Sequence, residues 1–295
     1  MDNQQTMPLT DDLYGLNVDT RVAFSNQKNI YKKGIEKRQR KLMQDVAQFI
    51  KPFLGEGEKI LLVTTGCSPM GFMEQLLTGW IIYYLKRSLI IFTARRILHV
   101  PTTSGFKYRN SIAQIKYGDV KSLSMSWGSL VVAYKNGKRE KFYYIPSSER
   151  AKIKQLLKET ATNDGVSRES RRAHLCPRCT TELVTEQYEC VKCHLQFKSR
   201  NEAQKISIIF PGGGYFYTGH WFMGIMDAMA ELVLTIVVIG SFIGWIGGSA
   251  KDMETFFITL VMLIVEKLIT ISHSSHFVDE YIPKEREIGP VQVSR

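Results

Sequence analysis

Apolar residues follow different patterns in successive stretches of this 295-residue chain. Between residues 56 and 145 they form short runs rich in β-branched and aromatic side chains, separated by turn residues, and this pattern predicts β-strands. Asn136-Gly137 separates two of the runs and is a strong signal for a β-hairpin. The predicted strands are 60–65, 80–85, 88–93, 96–101, 112–117, 122–127, 129–134 and 140–145.

Helical spacing of apolar residues occurs on both sides of the predicted strands. Residues 34–54 predict an amphipathic helix that ends at Pro52 and carries basic residues in its first half. Such a helix could lie on a membrane surface, but we favour packing against the neighbouring strands. Residues 147–159 predict a second helix that is capped by a serine. The apolar faces of the two helices comprise Ile35, Leu42, Val46, Phe49 and Ile50, and Ile153, Leu156 and Leu157.

Several antiparallel strands followed by one helix is the order of a pleckstrin-homology-like (PH-like) barrel. Residues 88–101, SLIIFTARRILHVP, resemble the "LT-x-RR-(L/I)" hairpin of bacterial PH-like and GRAM-like domains. The resemblance covers about residues 55–160. It implies a PH-like antiparallel β-barrel with a C-terminal helix, and a domain that binds a protein or a lipid surface.

Two C-x-x-C pairs follow, Cys176 with Cys179 and Cys190 with Cys193. Two such pairs can place four thiolates around one ion, and four sulfur ligands are typical of a closed, structural zinc site. We therefore predict one Zn²⁺ per chain. Residues 175–198 resemble the short zinc ribbons of many bacterial proteins, in which a glycine usually stands where this chain has Thr180. His194 is left out of the predicted ligand set because adjacent residues rarely both reach one ion.

Three stretches lack any regular pattern. Residues 1–33 are polar and are expected to form a poorly ordered N-terminal arm. Residues 161–174 are charged and are predicted to be a linker. Residues 277–295 form the predicted C-terminal tail.

Long apolar stretches occupy the C-terminal part of the chain and predict a transmembrane helical hairpin. Residues 228–248 and 253–272 are each long enough to cross a bilayer and are joined by a very short loop. Residues 206–226 are also uncharged, but a Pro-Gly-Gly-Gly break prevents them from forming a single regular helix. We therefore expect two crossings with both chain ends in the cytoplasm; a third crossing at 206–226 would place the C-terminus outside.

A short motif precedes the two predicted crossings. Its residues are Pro211, Gly212, Gly214, Tyr217 and Gly219. The motif resembles the "PG-x-G-x-x-Y-x-G" signature of small bacterial membrane modules related to the TM2 domain, which often follow a zinc ribbon. The resemblance covers about residues 205–276, although the acidic-aromatic loop motif of standard TM2 domains is absent. Its glycines predict a tight turn and close helix packing rather than a ligand site.

Glu231 lies near the start of the first predicted span, and Glu266 and Lys267 lie well inside the second. Ionisable groups in a bilayer are costly and often functional. The structural alternative is equally weighted: Lys267 reaches toward the interface while Glu266 meets a polar partner within the bundle or at an oligomer interface.

Charge is divided unevenly along the chain. Residues 1–205 contain 34 Lys and Arg against 19 Asp and Glu, whereas residues 206–295 contain 5 against 9. A basic part attached to membrane helices predicts attraction to anionic lipids, with nucleic acid as the competing partner. The N-terminal sequence has no segment typical of a signal peptide, so we expect a multi-pass protein of the cytoplasmic membrane whose soluble domains face the cytoplasm.

These observations favour a non-enzymatic membrane-anchored adaptor or sensor. The sequence contains no recognisable nucleophile elbow, phosphate-binding loop or paired carboxylates. Two alternatives remain: a membrane-tethered nucleic-acid-binding protein, and a small transporter or channel component that uses Glu231 and Glu266.

Overall fold

The computed structural model describes residues 12–71, 74–75, 79–159 and 171–285. They form two compact units. The first unit comprises 12–71, 80–159 and 171–195, and the second comprises 74–75, 79 and 196–285. Most of the predicted tail and linker, and the first part of the predicted N-terminal arm, lie outside the described residues.

The strands of the first unit form two antiparallel sheets and a short hairpin. The strands are β1 Asp12–Leu13, β2 Leu16–Asn17, β3 Ile60–Cys67, β4 Arg87–Thr93, β5 Arg96–Pro101, β6 Ile112–Lys116, β7 Val120–Ser126, β8 Ser129–Tyr134, β9 Arg139–Phe142 and β10 Ala173–Leu175. The larger sheet has the order β10-β6-β5-β4-β3, and the smaller sheet has the order β7-β8-β9.

The two sheets of the first unit do not close into the predicted barrel. They meet where Cys67 and Tyr143 exchange backbone hydrogen bonds of 2.8 and 3.1 Å. Elsewhere the outer edge of β3 has other partners. The side-chain amide of Gln39 donates to the carbonyl of Val63 at 2.8 Å and accepts from its N–H at 3.0 Å. Because a glutamine stands where a neighbouring strand would pair, the sheet edge is satisfied without closure.

We expect Gln39→Ala to destabilise the first unit, because it leaves two buried backbone groups of Val63 without partners. Each unsatisfied group costs about 1–3 kcal/mol. The measurement is thermal unfolding of the full-length protein in a mild detergent. Gln48→Ala is the matched control, since Gln48 lies on the same helix as Gln39, Lys33–Ile50, and is exposed. Equal midpoints for the two variants would contradict the proposed role of Gln39.

Helix α2, Lys33–Ile50, packs on the strands, which is the arrangement that the sequence favoured over a membrane surface. A short 3-10 turn, Lys51–Phe53, ends it at Pro52. The buried face differs from the predicted one, because Gln39 and Met43 are buried beside Val46 and Ile50.

Part of the predicted disordered arm is instead built into the core. Residues 12–17 form the β1–β2 hairpin, and helix α1, Thr20–Ala23, follows. Leu16, Val18 and Phe24 are buried against α2 and the larger sheet. The expectation of an irregular arm was therefore wrong for residues 12–33, because the spaced apolar residues bury enough surface to order the segment.

The predicted strand at 80–85 is also wrong, because this segment forms a short 3-10 turn, Gly79–Ile81, and helix α3, Ile82–Leu85. The register explains the difference: Cys67 at the end of β3 pairs with Arg87 at the start of β4. The segment therefore belongs to the connection between two adjacent strands. Tertiary context overrides its β-propensity.

Alternating side chains of the larger sheet face two different cores. Val63, Ile91 and Leu98 point toward α2 and the N-terminal segment. Their neighbours Ile90 and Ile97 point toward the smaller sheet and helix α4, Ser147–Glu159. Burial on both faces explains why these strands are nearly continuous runs of apolar residues.

The second unit is helical. Its helices are α5 Arg200–Ile209, α6 Gly213–Thr218, α7 Trp221–Ile246 and α8 Ala250–Val278. The last two form an antiparallel hairpin joined by residues 247–249, and the hydroxyl of Ser249 caps α8 by accepting from the N–H of Asp252 at 3.3 Å. Residues 206–226 are divided among three helices, as the Pro-Gly-Gly-Gly break predicted.

Candidate functional sites

The four cysteines of the two C-x-x-C pairs come together in the first unit. Each pair lies on a turn with the same hydrogen bonds. The N–H of Thr180 donates to the carbonyl of Cys176 at 2.8 Å, and the N–H of His194 donates to that of Cys190 at 2.9 Å. Both Thr180 and His194 have a left-handed backbone, with φ of 59° and 55°. The two turns therefore present their thiols in equivalent ways.

The sulfur atoms form a compact cluster. The Sγ atoms of Cys176 and Cys193 lie 3.5 Å apart, as do those of Cys179 and Cys190, and all four lie within 4.8 Å of one another. Four sulfurs bound at ~2.3 Å to one tetrahedral ion would be separated by about 3.8 Å. The cluster therefore fits a single metal ion. His194 is exposed and pairs with Glu189 at 2.8 Å, so it stays outside the ligand set as predicted.

The ribbon is joined to the larger sheet rather than separated from it by a linker. β10, which leads into the first cysteine pair, pairs with β6, and Leu175 is buried in the same core as Ile112. Beyond the strand, Glu182 contacts Lys116 at 3.0 Å and Gln114 at 3.1 Å. The predicted linker was therefore wrong at residues 173–174. A β-strand of three residues is too short to recognise in a polar stretch.

Comparison with known proteins assigns this chain to no family. No known family matches the chain, and no curated protein matches it. One solved structure that resembles it is the C-terminal domain of an unknown protein from Leishmania infantum, which is 17% identical, with a TM-score of 0.26. That likeness covers 43% of this chain and 96% of the other.

The glycine motif of the second unit forms a packed bend. Gly212 has φ of 65°, and a Cβ atom there would lie 2.1 Å from the carbonyl oxygen of Gly224 on α7. A Cβ at Gly214 would lie 2.1 Å from the hydroxyl of Ser207. Close approach of neighbouring helices thus requires glycine at both positions. This geometry agrees with the structural interpretation of the motif.

The other motif residues fix the ends of the bend. Tyr217 accepts a hydrogen bond from the N–H of Ser199 at 3.1 Å and donates to Glu202 at 2.5 Å, which anchors α6 to the start of α5. Gly219 ends α6 with φ of 84°. Pro211 directly follows Phe210, the C-terminal cap of α5, where a proline prevents the helix from continuing.

The predicted intramembrane charges are brought together between α7 and α8. Carboxylates of Asp227, Glu231 and Glu266 lie within 4.8 Å of one another. The ammonium of Lys267 contacts Glu231 at 2.5 Å and donates to the carbonyl of Ser207 at 2.8 Å. We call these four charged residues the polar cluster.

Asp227 was missed because it lies just before the predicted span. Its spacing of four residues from Glu231 on a helix was the available signal, since such residues share a face. Thr270, four residues after Glu266 on α8, donates to Asp227 at 3.0 Å and is fully buried. The polar cluster therefore joins facing sides of the two helices.

A groove at one end of the first unit was not predicted. It has a volume of about 320 Å³ and opens where β3 ends and β4 begins. Its lining residues are Thr65, Gly66, Cys67, Trp80, Tyr83, Tyr84, Arg87, Phe106 and Tyr144. Burial raises the pKa of the Cys67 thiol to about 11, so this cysteine is protonated at neutral pH and is a poor nucleophile.

One buried serine–histidine pair invites comparison with a catalytic dyad. Ser68 lies 2.9 Å from Nε2 of His99, and both are buried. The guanidinium of Arg172, however, lies 2.8 Å from Nδ1 of the same ring. Because arginine can only donate, Nδ1 must accept, which leaves the proton of a neutral ring on Nε2. The imidazole then donates to Ser68 and cannot activate it as a base.

Proposed function

We propose that this protein is a non-enzymatic membrane-anchored adaptor or sensor. In this proposal α7 and α8 anchor the chain, the first unit is a PH-like binding domain, and the four cysteines hold a structural Zn²⁺ ion. The second unit is the TM2-like module that the sequence resembles.

The outward-facing apolar surface of α7 and α8 carries this proposal. Among the described residues, these two helices are long and apolar enough to cross a membrane. The core helix of a soluble protein would be mostly buried, yet only 11% and 6% of their most apolar windows are buried. Leu232, Val233 and Ile236 are all more than half exposed. A lipid environment satisfies such a surface, whereas water does not.

Aromatic side chains lie near both ends of the hairpin. Trp245 and Phe256 stack 5.6 Å apart beside the connecting turn, and Trp221 and Phe222 begin α7. At 1.5 Å per residue, Trp221 and Trp245 are separated by about 36 Å along the helix. This spacing suits two aromatic belts at the interfaces of a bilayer whose core is about 30 Å thick.

The basic flank of the helical unit supports an orientation with the first unit in the cytoplasm. Lys198, Arg200 and Lys205 precede the apolar helices. The connecting turn at the other end is followed by one basic residue, Lys251. The positive-inside rule favours the more basic flank as the cytoplasmic one.

The polar cluster is the observation that favours a transporter as the second candidate function. Within the described chain, Oε2 of Glu266 is buried without a hydrogen-bond partner. Along α7, Glu231 lies about 15 Å from Trp221 and about 21 Å from Trp245, so it is near the middle of the proposed span. Its ion pair with Lys267, however, supports a structural role, in which the cluster fastens α7 and α8 to α5.

Nucleic-acid binding is the weaker alternative. Two basic residues of α2 are already engaged, because Arg38 pairs with Glu149 at 3.2 Å and Arg40 pairs with Glu36 at 2.7 Å. These contacts reduce the positive surface that α2 could present to phosphates.

We expect the full-length protein to remain in the membrane pellet after alkaline carbonate extraction. Ile236→Lys with Ile239→Lys should prevent stable insertion, because each charge near the centre of a span costs about 2.5–3.5 kcal/mol. The control is Ile30→Lys, which adds a charge at an exposed apolar residue of the first unit. A double variant that stays in the pellet as fully as the control would contradict the anchor.

Reconstituted liposomes separate the two leading functions. The adaptor or sensor proposal predicts that the full-length protein conducts no more Na⁺, K⁺ or H⁺ than empty liposomes do. Ion flux that is lost in Glu266→Gln would instead establish the transporter.

A further inference from the structure

Three aromatic residues near the groove of the first unit have a left-handed backbone. They are Phe106, Trp127 and Tyr144, with φ of 61°, 46° and 56°. Bulky side chains rarely adopt this conformation, which costs of order 1 kcal/mol for each residue. Such strain often occurs at binding sites.

Four aromatic side chains surround this end of the unit and are left exposed. Trp127 is fully exposed at the turn between β7 and β8, and the next residue, Gly128, accepts a hydrogen bond from Ile145 at 2.9 Å. This contact places the turn beside Tyr144, which packs on Tyr83 of the groove at 4.3 Å. We define the aromatic rim as Trp80, Tyr84, Trp127 and Tyr144, whose exposed fractions are 70%, 46%, 103% and 59%.

Arg87 supplies the positive charge of the groove. Its guanidinium lies 4.5 Å from the ring centre of Tyr84 and 5.0 Å from that of Phe106, and it donates to the carbonyl of Ser104. These contacts hold the guanidinium in place while leaving further N–H donors. No acidic side chain is among the described residues that line the groove.

We propose that the groove binds the headgroup of an anionic phospholipid, with Arg87 on the phosphate and the aromatic rim at the lipid–water interface. This inference rests on the proposed function, because the membrane anchor keeps the first unit close to lipid. A fixed guanidinium recognises phosphate by paired hydrogen bonds. Exposed Trp and Tyr side chains are most stable at the level of lipid headgroups.

The contacts of Arg87 also argue against other ligands. An aromatic groove can bind a quaternary ammonium group, but here Arg87 already occupies the ring faces of Tyr84 and Phe106 and would repel a second cation. A peptide with a free carboxylate shares part of the required chemistry. Binding of such a peptide, however, would not explain why Trp127 is fully exposed beyond the groove.

The test is calorimetric titration of the full-length protein, held in phosphatidylcholine nanodiscs, with dihexanoyl phosphatidylglycerol below its micelle concentration. We expect one saturable site per chain after subtraction of empty nanodiscs. Arg87→Gln should weaken binding by about tenfold or more, which corresponds to the loss of a charge-assisted pair. Tyr144→Ala should weaken it less, and Tyr144→Phe should keep most of the affinity.

The control variant is Arg139→Gln, since Arg139 is exposed at the far end of β9 from Tyr144. It should bind as the unaltered protein does. Equal affinity of Arg87→Gln and Arg139→Gln would overturn the proposal, as would equal binding of dihexanoyl phosphatidylcholine. If inorganic phosphate competes at similar concentration, the ligand of the groove is a free anion and not a lipid. If a short apolar peptide with a free C-terminus binds and the lipid does not, the ligand is a peptide. If the titration detects no binding while the protein still resists carbonate extraction, the lipid site is rejected and the membrane anchor is not.

Discussion

Exchange of Cys179 and Cys190 for serine is expected to abolish metal binding and to loosen the larger sheet of the first unit. Four thiolates within 4.8 Å should hold one Zn²⁺ ion per chain, and binding energy in so small a ribbon is folding energy. The ribbon continues from β10, so its loss should release β10 from β6. Exposure of Leu175 alone would cost about 1.5–3 kcal/mol.

Two measurements on the full-length protein test this expectation. Elemental analysis should find one zinc per chain, and none in the double variant. Hydrogen exchange should be faster at β6 of the double variant, whereas β8, in the other sheet, should change little. Cys67→Ser is the control and should keep its zinc, because Cys67 is remote from the cluster in sequence and pairs with the smaller sheet. Unchanged protection of β6 without metal would show that the ribbon and sheet are independent.

Lys267→Met is expected to destabilise the second unit strongly. It removes the partner of Glu231, a carboxylate that is only 2% exposed. Breaking a buried ion pair by removing one member typically costs about 3–5 kcal/mol, because the remaining charge has no compensation. Thermal unfolding of the full-length protein in detergent, followed by helical circular dichroism, measures the loss.

The double variant Glu231→Gln with Lys267→Met should recover part of that stability, since it removes both charges. Lys251→Met is the matched control at an exposed lysine near the start of α8 and should unfold at the original temperature. If the Lys267→Met and Lys251→Met variants unfold at the same temperature, the polar cluster does not fasten the helices as proposed.

Local spacing was enough to predict several features of this chain. The four cysteines stand on two separate turns, and each turn is set by residues within its own short stretch. The same is true of the bend at Gly212 and Gly214, where a side chain would collide with a neighbouring helix. The length of the two apolar stretches alone was sufficient to predict the two long helices.

The remaining features depend on contacts between distant parts of the chain. Gln39 looks like a polar interruption of an amphipathic helix, and only its contact with Val63 explains why it is fully buried. Residues 80–85 have strong β-propensity, but the pairing of Cys67 with Arg87 places them in a connection. The groove likewise joins side chains from four separate segments, so no local pattern could reveal it.

The central claim, that α7 and α8 cross a membrane and hold the first unit on its cytoplasmic side, is tested most directly by cysteine accessibility. Lys251→Cys lies beside the turn between the helices, and Lys138→Cys lies in the β8–β9 hairpin of the first unit; both lysines are exposed. Each is placed in a Cys67→Ser background and probed on intact cells with a membrane-impermeant maleimide. We expect Lys251→Cys to be labelled from outside and Lys138→Cys to be labelled only after permeabilisation. Labelling of both positions from the same side would contradict the two-span anchor.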